Sequence, residues 1–190
     1  MRSLKLVSIL AAVAVPLASA HAITFSNIFI DGVSASGTAF GSNGISFSVP
    51  NNYLVGVGTK TLKIQYRVDA TAGNELSSFG VFPVGITKLG SVAFSVDHTN
   101  GGTQTYNYSQ TGGASATSLA SVPTIALVPR ASFYDVTTMV TLTGNAATSV
   151  NKLTIYSVSY TEAVPEPASM MAMTIGVGTL FARRRKGKKS

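Results

Sequence analysis

The stretch from Leu62 to Ala70 constrains this chain more than any other. Leu62, Ile64, Tyr66, Val68 and Ala70 alternate with Lys63, Gln65, Arg67 and Asp69. A β-strand turns successive side chains to opposite faces, so a period of two sends the apolar set to a core and the charged set to water. Wound as a helix, the same residues would scatter both sets around the axis. The pattern calls for an antiparallel sheet with one solvated face. Residues 132–143 repeat it, with Tyr134, Val136, Val140 and Leu142 in one register. So do residues 152–161, where Lys152, Thr154, Tyr156, Val158 and Tyr160 alternate with Leu153, Ile155, Ser157 and Ser159.

Shorter β-rich runs occupy residues 23–30, 37–40, 45–49, 79–84, 91–96, 103–108 and 123–128, dominated by Thr, Ser, Val, Ile, Phe and Tyr. Between the runs stand Asp31-Gly32, Asn43-Gly44, Gly73-Asn74, Asn100-Gly101-Gly102, Gly112-Gly113 and Gly144-Asn145. These residues tolerate positive φ and are read as turns. No part of this region carries apolar residues at helical spacing over three turns, and no fixed-period repeat is visible. The expectation is an all-β fold: a single β-sandwich domain, jelly-roll-like, over residues 23–160 with nine or ten short strands.

Composition enters through charge. The 190 residues hold 14 Lys and Arg against 7 Asp and Glu, a formal net charge of +7. Residues 23–164 contain equal numbers of both signs, so the surplus belongs to the two ends. A basic nucleic-acid-binding face on the body is therefore not expected, and no nucleic-acid partner is assigned. With no Cys, disulfide scaffolds, thiolate zinc sites, thiol catalysis and lipoprotein anchoring are excluded.

Each end reads as a membrane address. At the amino end Arg2 and Lys5 precede a ten-residue apolar run, residues 6–15, which Pro16 interrupts. Small residues follow at Ala18-Ser19-Ala20 and Ala20-His21-Ala22. This order is that of a cleaved secretory signal peptide, assigned to residues 1–22, with cleavage after Ala20 or after Ala22. At the carboxyl end a linker, residues 161–167, contains Pro165, Glu166 and Pro167. Residues 168–182 then carry no charge and are read as a transmembrane helix. Fifteen residues reach about 22 Å as a helix, short of the ~30 Å hydrocarbon core, so such a span relies on snorkelling and local thinning. Arg183, Arg184, Arg185, Lys186, Lys188 and Lys189 close the chain, a stop-transfer cluster that holds residues 183–190 in the cytoplasm.

These last residues resemble the PEP-CTERM sorting signal of Gram-negative bacteria: Val164-Pro165-Glu166-Pro167, a short apolar span and a terminal Arg cluster. The resemblance covers residues 164–190. It implies recognition of Pro165, Glu166 and Pro167 by exosortase, a membrane enzyme that processes its substrates near this motif. It further implies export, transient anchoring in the inner membrane, and release to a cell surface or extracellular matrix rich in exopolysaccharide.

Within the body, Asp97-His98-Thr99-Asn100-Gly101-Gly102 is the densest polar stretch. It lacks the D-x-[DN]-x-[DN]-G spacing of a calcium loop, and a strand-ending Asx turn explains it better. His98 has no His or Cys partner for zinc. Tyr106 with Tyr108, and Tyr156 with Tyr160, share sheet faces that would suit stacking on a sugar, although packing is the simpler account. No catalytic motif, metal site or cofactor is assigned. The chain is expected to be a non-enzymatic, exported surface or matrix protein. A carbohydrate-binding or adhesive module is the alternative, and a secreted hydrolase comes a distant third.

Overall fold

The structure, a computed structural model, describes residues 22–49 and 52–164. It is all-β, a sandwich of two antiparallel sheets. In chain order the strands are β1 (Thr24–Ile30), β2 (Val33–Ser34), β3 (Thr38–Phe40), β4 (Gly44–Ser48), β5 (Tyr53–Val55) and β6 (Gly58–Asp69). Then come β7 (Glu75–Lys88), β8 (Gly90–Thr99), β9 (Thr103–Gly112), β10 (Thr117–Ser118), β11 (Val122–Ala131), β12 (Phe133–Gly144) and β13 (Val150–Ala163). One sheet runs β2-β1-β6-β12-β8-β9, and the other runs β10-β7-β13-β4-β3. In the second sheet β11 adds to β7 and β5 to β13. The ten runs picked out in the sequence are all strands. The two-residue β2 and β10 and the three-residue β5 are too short to show any periodicity. The proposed signal peptide, span and basic tail lie outside the described residues.

The alternation in β6 behaves as its pattern requires. Leu62, Ile64, Tyr66 and Val68 are buried, while Lys63 faces outward. Tyr134, Val136, Val140 and Leu142 of β12 join the same core, as do Val92, Phe94 and Val96 of β8. The second sheet answers with Phe47, Leu76, Phe79, Val81, Leu153, Tyr156, Val158 and Tyr160. Fully burying one such side chain contributes roughly 1.5–3 kcal/mol, so this shared interior is what holds the two layers together.

One register departs from expectation. Leu153 lies in the core together with Tyr156, Val158 and Tyr160, whereas Thr154 is exposed. The pairing of β13 with β7 slips between Leu153 and Ile155, leaving Thr154 as the extra residue of a bulge. A one-residue insertion flips every later side chain to the other face, so the strict alternation read across 152–160 breaks there. Residues 161–163, placed by the sequence in a linker, are the last three residues of β13.

Turn chemistry divides into two kinds. Asp31 (φ 50°) and Gly32 (φ 79°) form the two-residue loop that joins Ile30 to Val33, with both residues left-handed. That is the type I′ hairpin the dipeptide signals. Gly58, Gly144, Gly90 and Gly112 instead make one rung across four strands. A Cβ on Gly144 would stand 1.9 Å from the Gly56 carbonyl oxygen, and one on Gly90 would stand 2.1 Å from that of Thr143. Gly144 and Gly112, read as turn formers, are there for the space they leave at the end where β7 passes into β8 through Leu89 alone.

Candidate functional site

Three places could do something beyond holding the fold, and each is assembled from different strands. The first is the outward face of the six-stranded sheet. Because β6, β12, β8 and β9 pair in continuous register, their odd-numbered residues line up in rungs. These are Thr61–Thr141–Ala93–Ser109, Lys63–Met139–Ser95–Asn107 and Gln65–Thr137–Asp97–Thr105. Small side chains at Ala93 and Ser95 leave a hollow of about 200 Å³, rimmed by Asn107, Ser109, Met139 and Thr141. Besides the hydroxyls of Ser95, Ser109 and Thr141, the Asn107 amide and the Met139 thioether, Ala93, Phe94 and Tyr108 line it, and no charged residue does.

The second is the buried polar cluster around His98, which is fully inaccessible to solvent. Its Nε2 lies 3.0 Å from the Tyr160 hydroxyl, which in turn lies 2.8 Å from that of Tyr66. Nδ1 has no hydrogen-bond partner. Phe79 packs 4.3 Å from the imidazole, centroid to centroid, and Tyr106 and Tyr134 approach edge-on. Burial in this aromatic box disfavours the imidazolium and lowers the His98 pKa to about 3. Burial likewise raises the Tyr66 and Tyr160 hydroxyls well above 10 and Tyr156 to about 12. All four groups are neutral through the physiological range. Sealed and neutral, the cluster is an interior hydrogen-bond network that no substrate can reach.

The third is the end at which the chain leaves the sandwich. Thr24 pairs with Asp69, and Ala163 pairs with Glu75. The connection from Asp69 to Glu75 is a short turn closed by the Asn74 amide on the Thr71 carbonyl at 2.9 Å. Entry and exit therefore sit side by side at one end of the molecule. Glu162, three residues before Pro165, accepts the Thr71 amide at 2.5 Å on Oε1 and the Asn74 side-chain amide at 2.8 Å on Oε2. Burial would raise the Glu162 pKa, but the bonds from Thr71 and Asn74 outweigh it and leave the pKa below the ordinary glutamate value.

The other sequence candidates resolve into structure. The Asp97 carboxylate accepts the Thr105 hydroxyl at 2.6 Å, and Asn100 donates to the Phe133 carbonyl at 2.9 Å. Asn100-Gly101-Gly102 is the loop of the β8–β9 hairpin, with Gly101 at φ 68°. Among the described residues no group of three or more His, Asp or Glu could hold a metal ion. Tyr106 and Tyr108 point inward, Tyr106 edge-on to Phe79 and Tyr108 stacked on Phe94. With Gln104 and Gln110 they form a seam that sequence reasoning missed. The Tyr106 hydroxyl reaches the Ala126 carbonyl at 3.0 Å and that of Tyr108 reaches Ala120 at 3.0 Å. Gln110 donates to the Ser118 carbonyl at 2.8 Å, and Gln104 accepts the Val128 amide at 2.9 Å. The Gln-x-Tyr-x-Tyr-x-Gln spacing of β9 was the available signal, but its partners carry no pattern of their own. Pro165, Glu166, Pro167, the basic cluster from Arg183 to Lys189 and Ala20 lie outside the described residues, while Ala22 is exposed just before β1.

Comparison with known proteins adds the following. Residues 163–186 match the family model described as the PEP-CTERM protein-sorting motif. The match begins on Ala163, the last residue of β13. No curated protein matches the chain. Among solved structures, that of TmCBM61 in complex with beta-1,4-galactotriose is similar at 14% identity and a TM-score of 0.30, covering 73% of this chain and 87% of that one. The chain thus carries a PEP-CTERM sorting signal, which marks an exported protein, anchored at a membrane before processing, and a substrate of the membrane enzyme exosortase.

Proposed function

We propose that this PEP-CTERM chain is a non-catalytic surface or matrix protein of a Gram-negative bacterium, delivered outside the cell as a folded sandwich and freed from its membrane anchor by exosortase. The observation that carries this reading is the match of residues 163–186 to the sorting motif, which begins on the last residue of β13. The placement of ionisable groups supports a non-catalytic body. His98 is sealed in the core, Asp97 is bonded to Thr105, Asp69 pairs with Arg67 at 3.0 Å, and Glu162 is engaged by its neighbouring turn. The test is expression of the full chain in a host with and without exosortase, tracking the mass of the extracellular product. The expected product lacks residues 183–190 only where exosortase is present, and a chain truncated before Pro165 is released irrespective of the enzyme. Mature surface protein that still carries Arg183 to Ser190 would refute the reading.

A second reading concerns what the body touches. The hydroxyl-lined rungs and uncharged hollow around Ala93, Ser95, Asn107 and Met139 suit a neutral, hydroxyl-rich polymer such as an exopolysaccharide. Such a ligand exchanges hydrogen bonds with Ser, Thr and Asn, and the hollow itself holds no charge to desolvate. Retardation of the protein in gels cast with neutral polysaccharide, lost on Met139→Arg, is the expected result. Equal mobility in all gels overturns it.

A further inference from the structure

Ala163 is still hydrogen-bonded in the sheet, opposite Glu75, and the sorting motif begins two residues later. Fully extended chain spans at most ~3.3–3.6 Å per residue, so Glu166 cannot lie farther than about 11 Å from Ala163. An enzyme that acts on the peptide around Pro165 must take several residues on each side into its own groove, and on the amino side those residues belong to β13. Chain held in a sheet is taken up through local opening, and the rate follows the open population when reclosure is fast.

The end of β13 carries a feature that governs such an opening. Most of β13 is pinned by core side chains, but beyond Tyr160 that support ends: Thr161 is exposed, and Glu162 and Ala163 are only partly covered. Beyond the backbone pairing of residues 161–163 with β7, what fastens this terminal piece is the Glu162 carboxylate, bonded at once to the Thr71 amide and the Asn74 side chain, with Ser77 and Ser78 hydroxyls on Thr161. The fastening ties the exit strand to the turn between β6 and β7, more than eighty residues away in sequence.

We infer that Glu162 is a positioning residue for sorting: its carboxylate latches the last residues of β13 to the Thr71–Asn74 turn, and exosortase binds its substrate from the unlatched state. The inference rests on the sorting reading above and adds the step that sets how readily the folded protein is processed. The closed latch keeps Thr161 to Ala163 paired in the sheet, and the open latch gives the enzyme an extended segment beginning near Thr161.

Two opposite perturbations of the full chain test this, read as the rate at which the carboxyl-terminal peptide is lost in a host with exosortase. Glu162→Ala removes both bonds at a partly exposed site, and processing is expected to rise roughly three- to tenfold, with Glu162→Gln in between. Glu75→Cys with Ala163→Cys joins directly opposed positions of an antiparallel pair, whose Cα separation of about 4.5–5.5 Å suits a disulfide. The native chain has no Cys to compete. Oxidised, this pair is expected to slow processing at least tenfold, with recovery on reduction. Thr87→Val, which removes the buried hydrogen bond to Asn151 at the opposite end, is expected to leave the rate unchanged, separating latch opening from general loss of stability. Hydrogen exchange of the 155–164 peptide, expected to quicken in Glu162→Ala and not in Thr87→Val, reads the latch without the enzyme. Unchanged processing in both the Ala variant and the oxidised pair overturns the inference while leaving the sorting reading intact. Slower processing in Glu162→Ala overturns it too, since the closed end would then be the form recognised. A wild-type chain that exosortase never shortens overturns both.

Discussion

Acidification tests the account of the core most directly, through His98. The unfolded imidazole titrates near 6.5, whereas in the fold burial among Phe79, Tyr106, Tyr134 and Tyr160 holds it to about 3. The folded value lies below the unfolded one, so between them the unfolded chain binds more protons, and stability falls as pH falls. Each pH unit well inside that window removes about 1.4 kcal/mol, so from pH 7 to pH 4 His98 alone should cost about 3 kcal/mol. That is a large share of the 5–15 kcal/mol typical of a domain. Urea unfolding of wild type and His98→Leu at pH 7, 6, 5 and 4 separates this group from the carboxylates. Glu162 also loses its stabilising bonds as it protonates, but it does so in both proteins. The Leu variant loses the hydrogen bond to Tyr160, so it should start less stable at pH 7, yet lose about 3 kcal/mol less than wild type on the way to pH 4. Parallel curves for the two proteins would refute the reasoning, because they would mean that His98 charges without leaving the core.

Other substitutions follow from the same geometry. Tyr160→Phe leaves both the His98 Nε2 and the Tyr66 hydroxyl without their buried partner and should cost about 2–4 kcal/mol in denaturant unfolding, against about 1 for Tyr66→Phe, which orphans no nitrogen. Gly144→Ala pushes a methyl into the Gly56 carbonyl and should cost 3 kcal/mol or more, while Gly113→Ala, with open space around it, should change the midpoint by less than about 0.5. Arg67→Ala removes partly exposed pairs to Asp69 and Asp135 and packing over Phe133, and about 1 kcal/mol or less is expected.

The parts of this fold legible in the sequence were those governed by local physics. Alternation in 62–70 and 132–143 was visible because one face of each strand meets water and the other does not. Asp31-Gly32 declared its turn because a type I′ hairpin needs two left-handed residues in succession. What could not be read depends on partners remote in the chain. The Thr154 bulge exists only relative to β7, and the glycine rung exists only once four strands are aligned. Nothing local sets Gly144, which yields space, apart from Gly73, which yields a positive φ of 86°. The sorting motif was legible because an enzyme reads it as linear sequence. The Glu162 contacts were not, because Thr71 and Asn74 lie some ninety residues upstream.

The seam between β9 and the β10–β11 segment has a consequence for crowded surroundings. Among the described strands β9 pairs only with β8, and β11 pairs only with β7, so the facing margin of β10–β11 offers free carbonyls and amides. Gln104, Tyr106, Tyr108 and Gln110 occupy them at residues 118, 120, 126 and 128. A bare strand margin is a template on which a second copy can polymerise. Here that template is masked by four side chains. Two glutamines and two tyrosines thus cover the β10–β11 margin, and a chain without them would present it bare.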